Sequence, residues 1–382
     1  MPGWSASMKT EPSTQNRRDL NYPKHIVCLS FIFLYFGNQL PEVDLKAVIL
    51  DTHASFRTPI SNHPILHDSD HAGTRDAGFV SVIQWNYIFN RNIPVGAGPF
   101  QPMKSAEDKM LDAPCLQQQG VELILKVLRE SPEPVSILSF GSARPIAVAC
   151  NREPDLFYRK VARIYFSAAS SSPGYLEWNI ALDVNAALRL LRSNLPIDIF
   201  PCAAKKGPFE YEPHNSYWKL LDLQFIKTLD PKIRRYLDYA FGRACRCDFL
   251  RAMHEHSSPA PMIDAYSHPH HVWETAVWMA LSDRVLGQRS DKSYRIIPAG
   301  ALTPTDRVLP GRLEPCLLQV SNDGLFTFQI TQPRRIFEST IERIPGRMKT
   351  RFVKLYPNST DRFIPELMDV ETLIALRPFF YS

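Results

Sequence analysis

The 382-residue chain contains no Gly-x-Gly-x-x-Gly stretch and no phosphate-binding loop, which removes the usual sequence support for an enzyme built around a nucleotide cofactor. It has no block of like charge either. The net charge of +5 comes from 44 basic and 39 acidic residues spread along the chain, so nothing in it is suited to tracking a nucleic-acid backbone. The seven cysteines are odd in number and scattered, at Cys28, Cys115, Cys150, Cys202, Cys245, Cys247 and Cys316, with no paired Cys-x-x-Cys spacing. That excludes a disulfide framework and a zinc knuckle, and points to reduced thiols and a cytoplasmic location. No apolar run reaches the roughly 20 residues of a spanning helix. The longest candidate, "IVCLSFIFLYF" from Ile26 to Phe36, is about half that length and reads as a buried strand rather than a membrane anchor. It starts late for a signal peptide and lacks a small-x-small cleavage site, so the sequon Asn358-Ser359-Thr360 carries no weight. Glycine is scarce as well, 16 residues against 32 prolines, and the prolines lie mostly at the ends of patterned segments.

What is present is an ordinary globular composition, 45% hydrophobic and 22% charged, in a chain long enough for one large α/β domain or two smaller ones. Residues 1–23 are polar and read as a disordered leader. After Lys24, β-branched and aromatic runs alternate with helical patterns: "VDLKAVIL" (43–50), "GVELILKVLRE" (120–130), "PVSILSF" (134–140), "ARIYFSA" (162–168), "NAALRLLRS" (185–193) and "LPIDIF" (195–200). Continuous apolar strands between amphipathic helices indicate βαβ units, and hence an open, mostly parallel sheet with helices on both faces. From about 205 to 260 the patterns in "YWKLLDLQFIKTL" and "PKIRRYLDYAFGRACRCDFLRAMHEH" predict a helical insertion. Around Asn322-Asp323-Gly324 the stretch "PCLLQVSNDGLFTFQI" alternates by twos, which predicts a β-hairpin over about 314–330. The α/β domain thus spans 24–330, and residues 331–382 form an extension with no clear pattern.

Polar groups that interrupt these patterns are the candidate site. In "GYLEWNIALDV", Glu177, Trp178 and Asn179 stand just before a helix. Glu177 and Asn179 could cap the helix that begins around Asp183, but Asp183 already serves as its N-cap, which favours a pocket for the other two. Asp51 ends the strand "VDLKAVIL", at the edge where open α/β sheets place ligands, although a carboxylate there also suits a loop brace. His268, His270 and His271 precede a helical pattern, and His271 is a second acid-base candidate. His63, His67 and His71 lie in the Pro-, Ser- and Gly-containing "PILHDSDHAGT" and read as solvated loop. Cys245 and Cys247 fall two apart in a helical pattern, where they cannot grip one ion.

The block 134–202, "SILSFGSARPIAVACNREPDLF" followed by "VARIYFSAASSSPGYLEWNIALDVNAALRLLRSNLPIDIFP", resembles the inosine/uridine-preferring nucleoside hydrolases in order and spacing. The similarity extends over about 24–290, taking in "LPEVDLKAVIL", "NIPVGAGPF" and "HHVWETAVWMAL". It implies the family's fold and a Ca²⁺-dependent hydrolysis of the N-glycosidic bond of ribonucleosides, with an aspartate deprotonating the attacking water and a small-molecule nucleoside as the partner. It leaves a homo-oligomer open. Glu177 and Asn179 match the ribose-binding Glu and Asn of "Glu-Phe-Asn", Glu274 stands where a Ca²⁺-ligating Asp is usual, and Trp273 stands where many members have a histidine that assists the leaving base. The family's Asp-x-Asp-x-x-x-Asp-Asp cluster has no counterpart, because "HIVCLSFIFLYFGNQLPEVDL" contains no carboxylate before Glu42. Arg144 or Ala143 stands in place of a threonine, and Ala54 stands near the place of an asparagine. These departures set a second expectation beside the first, a non-catalytic descendant that keeps the pocket for binding or the surface for assembly.

Overall fold

The computed structural model describes residues 40, 43–51, 79–170, 175–203, 207, 218–220, 230–241, 249–254, 270–273, 275–290, 294–308, 311–320, 326–330 and 347–355. The chain is an α/β protein whose parallel strands are joined by helices. Strand β1 (Val48–Leu50) pairs in parallel with β2 (Val95–Ala97), and α1 (Phe79–Phe89) lies between them in the chain. Helix α2 (Cys115–Glu130) leads to β3 (Val135–Ser139), α3 (Arg144–Arg152) and α4 (Pro154–Lys160) to β4 (Val161–Ser167), and α5 (Trp178–Ala181) and α6 (Val184–Leu191) to β5 (Ile197–Phe200). Strands β3, β4 and β5 are parallel neighbours in a six-stranded sheet.

The local reasons are those the patterns announced. In α2 the buried positions Gly120, Val121, Ile124, Leu125 and Leu128 recur every three to four residues and form one stripe. That helix lies close on β2 because two glycines face each other's backbone: a methyl on Gly120 would come 2.7 Å from the Ala97 carbonyl carbon, and one on Gly96 would come 2.9 Å from that of Gln119. All four residues of β5 are buried, as a central parallel strand requires. Its one charge, Asp198, is paired with Arg163 of β4 at 2.8 Å. Leu125, Leu128, Ala147, Phe157, Ile164, Phe166, Leu190 and Ile199 meet in one core shared by α2, α3, α4, α6 and the sheet.

The hairpin forms as predicted, β11 (Gly311–Val320) with β12 (Phe326–Ile330), and it joins the main sheet through an unanticipated strand, β13 (Arg347–Leu355). Strand β13 runs antiparallel to β11 and parallel to β5, giving the order β12-β11-β13-β5-β4-β3. In the predicted helical insertion, α7 (Pro231–Phe241) and α8 (Phe249–His254) are helices. Within "YWKLLDLQFIKTL", however, Trp218–Leu220 is a strand, β6, paired antiparallel with β7 (His270–Val272). A three-residue strand exists through its partner, and helical spacing in its own sequence does not oppose that pairing. Helix α9 (Thr275–Leu281) follows β7, and β8 (Arg284–Gln288), β9 (Tyr294–Pro298) and β10 (Arg307–Val308) form a small antiparallel sheet. Among the described residues no helix is long and apolar enough to cross a membrane. Residues 1–39, the run Ile26–Phe36, His63, His67, His71, Cys245, Cys247, His268 and Glu274 lie outside the described residues.

Candidate functional site at the carboxyl edge

The parallel strands deliver short polar or small-residue turns to one edge: Asp51 after β1, Gly98-Pro99 after β2, Phe140 to Ala143 after β3, and Ala168-Ala169-Ser170 after β4. Three carboxylates gather there, on the buried Glu177 and Asp183 and the half-buried Asp51, with the buried guanidinium of Arg144.

Arg144 and Asp183 form the frame. Both side chains are fully buried, and Arg144 Nε donates to Asp183 Oδ2 at 2.7 Å. The guanidinium also donates to the Pro99 carbonyl at 2.7 Å and the Leu182 carbonyl at 2.9 Å. Asp183 accepts the Met103 N–H at 2.8 Å and, as the predicted N-cap of α6, the Ala186 N–H at 3.0 Å. One ion pair therefore ties the ends of β2 and β3 to the α5–α6 junction. Buried charge of this kind is tolerated because every polar atom has a partner. The arginine in "GSARP" was the sequence signal for this frame: a guanidinium among small, apolar residues must be exposed or paired, and here it is paired.

Glu177 turns out to be a cap in its own right. Its Oε1 accepts the Asn179 N–H at 2.9 Å, and its Oε2 accepts the Ala169 N–H at 2.7 Å and the Ile180 N–H at 3.3 Å. It thus N-caps the four-residue α5, an element too short to announce itself by periodicity. Burial pushes its carboxyl up to about 7, against the pull of those N–H donors. The bond to Ala169 spans a strained point, since Ala169 has φ +83°, a region that favours glycine. The Ala169 carbonyl in turn accepts the N–H groups of Cys202 and Ala203 at 2.9 and 3.2 Å, linking the ends of β4 and β5. Asn179 Nδ2 donates to the Ser167 carbonyl at 2.9 Å and the Phe140 carbonyl at 3.4 Å, linking the ends of β4 and β3. Trp178, between them, is 55% exposed.

Asp51 differs from both. Its Oδ2 accepts the Ser142 N–H at the start of the β3–α3 turn. The side chain fits there because residue 141 is glycine; a methyl at that position would overlap Oδ2. Its other oxygen, Oδ1, is buried with no hydrogen-bond partner. Burial raises the carboxyl to about 7, with Arg144 and the Ser142 N–H pulling it down and Asp183 pushing it up.

Helix α9 reaches this edge through Trp278, whose ring stacks on Phe140 with centroids 6.1 Å apart. Trp273 precedes that helix and is half-buried, and His270 and His271 fall in β7. Among the described residues no group of three His, Cys, Asp or Glu side chains could hold a metal ion. The structure therefore brings Asp51, Glu177 and Asn179 to one edge with Arg144, and adds Ser142 and Ala169 as participants that sequence reasoning passed over.

Comparison with known proteins bears on this edge. The chain is 30% identical over 178 residues to the pyrimidine-specific ribonucleoside hydrolase RihA of Citrobacter koseri, and 34% identical over 178 residues to RihA of an Enterobacter species. Over those residues the chain is similar to ribonucleoside hydrolases. Each alignment takes in 41% of this chain and 51% of the relative, so the chain spans about half the length of the curated relatives it matches. No family model matches. Among solved structures, a plant nucleoside hydrolase is similar with a TM-score of 0.47 and 14% identity, covering 93% of this chain and 96% of that one. An inosine-uridine preferring nucleoside hydrolase of Bacillus anthracis is similar with a TM-score of 0.41 and 13% identity, covering 91% and 95%.

Proposed function

We propose that this protein hydrolyses the N-glycosidic bond of a small-molecule ribonucleoside at the carboxyl edge of its parallel strands, with pyrimidine nucleosides the first class to try. The sequence relation to proteins named pyrimidine-specific ribonucleoside hydrolases carries the reading. The convergence of Asp51, Glu177 and Asn179 at the edge where open α/β sheets bind ligands supports it.

In this reading Glu177 shapes the turn that presents Asn179 and the exposed Trp178 to the substrate. With the Asn179 amide nitrogen held by two carbonyls, its amide oxygen is the atom that a ribose hydroxyl would donate to. Trp273, ahead of α9, is the aromatic surface for the base, and His271, in β7, is a second acid-base group. Polar groups held in place before the substrate arrives stabilise charge as it develops on the sugar.

A calcium ion would add a hard cation to hold sugar hydroxyls and a water, and it needs about six to eight oxygen ligands. The described residues do not fit that demand. At this edge they offer one buried carboxylate oxygen without a partner, Asp51 Oδ1, within electrostatic reach of a buried guanidinium. Glu274, the ligand position that the resemblance implies, lies outside the described residues. Cys115, Cys150 and Cys202 take part in no disulfide, in keeping with a cytoplasmic location.

The test is release of free base from uridine, cytidine and inosine by the purified full-length protein, with calcium added and with chelator. Base release above the uncatalysed rate is the expected result. Ribonucleoside binding without release would replace this reading with that of a non-catalytic binding protein, and neither binding nor release would remove the nucleoside from the account.

A further inference from the structure

Of the three carboxylates described at the carboxyl edge, Asp51 alone has an oxygen with no partner among the described residues. Glu177 and Asp183 spend both oxygens on backbone N–H groups or on Arg144. Asp51 has Oδ2 on the Ser142 N–H and Oδ1 buried without a partner. Leaving a carboxylate oxygen buried and unpaired is destabilising, and groups kept at such a cost concentrate where a ligand completes them. Three features hold it there. Gly141 leaves room for the carboxylate, the Ser142 N–H fixes its orientation, and β1 ends at the edge that also carries Asn179 and Trp178.

We propose that Asp51 is the general base of the hydrolysis, accepting through Oδ1 the proton of the water that attacks the sugar. This assignment rests on the hydrolase reading and deepens it. The carboxylate cluster of the resembled family follows the first strand, whereas Asp51 follows the next one along the chain, so this site supplies its base from a different strand end.

The step balances with water as the sole co-reactant. The water oxygen bonds to the anomeric carbon, the carbon–nitrogen bond breaks, and its electron pair leaves with the base. One water proton passes to Asp51 Oδ1 and is then returned to the departing base or to solvent, leaving free sugar and free base. Among the described residues three groups face Asp51: Arg144 of α3, Asp183 at the start of α6, and the Ser142 N–H from the β3–α3 turn. Burial and these neighbours poise the carboxyl near neutrality, where a general base is most effective.

The experiment compares wild type, Asp51→Asn and Gly141→Ala for base release from uridine across pH 5 to 9, with uridine affinity measured in parallel. Removal of a general base lowers rates by about 10²- to 10⁴-fold, so Asp51→Asn is expected to lose at least 100-fold in kcat with uridine affinity within about threefold. It is also expected to lose the acidic limb of the kcat profile. Gly141→Ala keeps the carboxylate but crowds it, and is expected to lower kcat with that limb shifted. A melting temperature for Asp51→Asn at or above wild type shows that the loss is chemical. An Asp51→Asn protein as active as wild type overturns the role of Asp51 and leaves the hydrolase reading standing. A wild-type protein that releases no base overturns both.

Discussion

Glu177 and Asp51 are acids at the carboxyl ends of parallel strands in two different sheets, the first buried and the second half-buried, and desolvation raises both to about 7. They differ in what the fold gives them. Glu177 sits on the α5 turn, where it has the N–H groups of Ala169, Asn179 and Ile180. Asp51 sits between β1 and the β3–α3 turn with one N–H, and its second oxygen is unused. A carboxylate satisfied by backbone donors holds structure; one left short of donors is available to a ligand. Desolvation and raised pKa values alone would not have separated the two, and the hydrogen-bond partners do.

The comparison breaks most severely if the frame beneath both carboxylates is removed. Asp183→Ala leaves Arg144 charged and unpaired in the interior, and we expect a loss of about 3–5 kcal/mol in urea unfolding, with the α6 cap lost as well. An unchanged midpoint would mean that the guanidinium finds another partner. Next in size is the contrast itself. Glu177→Ala strips an N-cap and strands the Ala169 N–H, which should cost about 1–3 kcal/mol, whereas Asp51→Asn should leave stability unchanged or raise it. Equal losses from the two substitutions would mean that Asp51 is a brace of the same kind.

Titration sharpens the comparison further. The ordinary values of these acids are 3.8 and 4.5, and their folded values are about 7, so between those limits the folded protein binds more protons than the unfolded one. The stability contributed by each raised group is fully present below pH 4 or so and is lost as pH rises through about 7, at a slope of up to about 1.4 kcal/mol per pH unit for each group. Unfolding midpoints should therefore rise as pH is lowered from about 7.5 to about 5. Asp51→Asn and Glu177→Gln should each flatten part of that slope. The smallest effect is at Ala169, where φ is +83°. Glycine relieves that strain but adds freedom to the unfolded chain, so Ala169→Gly should stabilise by about 0.5–1 kcal/mol in the melting curve. A loss would mean that the methyl's packing outweighs the strain.

Much of this edge was readable from the residues themselves. Asp183 before "VNAALRLL" is a cap by composition, and Asp51 after an apolar run marks a strand's end. Glu177 was legible as a polar interruption, with capping of the helix at Asp183 as its second reading, but the helix it does cap was not legible, because α5 is a single turn that leaves no period to detect. The ribose-pocket assignment of Glu177 had relied on Asp183 as the cap for this whole stretch, and the extra turn gives Glu177 a cap of its own to make. Strand β6 was misread as helix for a related reason: Trp218–Leu220 is extended through pairing with β7, some fifty residues away in the chain.

Sequence alone determined the α/β class, the order β3–α–β4–α–β5 and the hairpin, because periodicity, capping and turn chemistry act over a few residues. Tertiary structure decided the rest. It placed β13 between β5 and β11, paired Arg144 with Asp183, and gave Glu177 its donors while leaving Asp51 Oδ1 without one. Those outcomes depend on which groups meet after burial, and a buried charge or a strand edge finds its partner through space rather than along the chain.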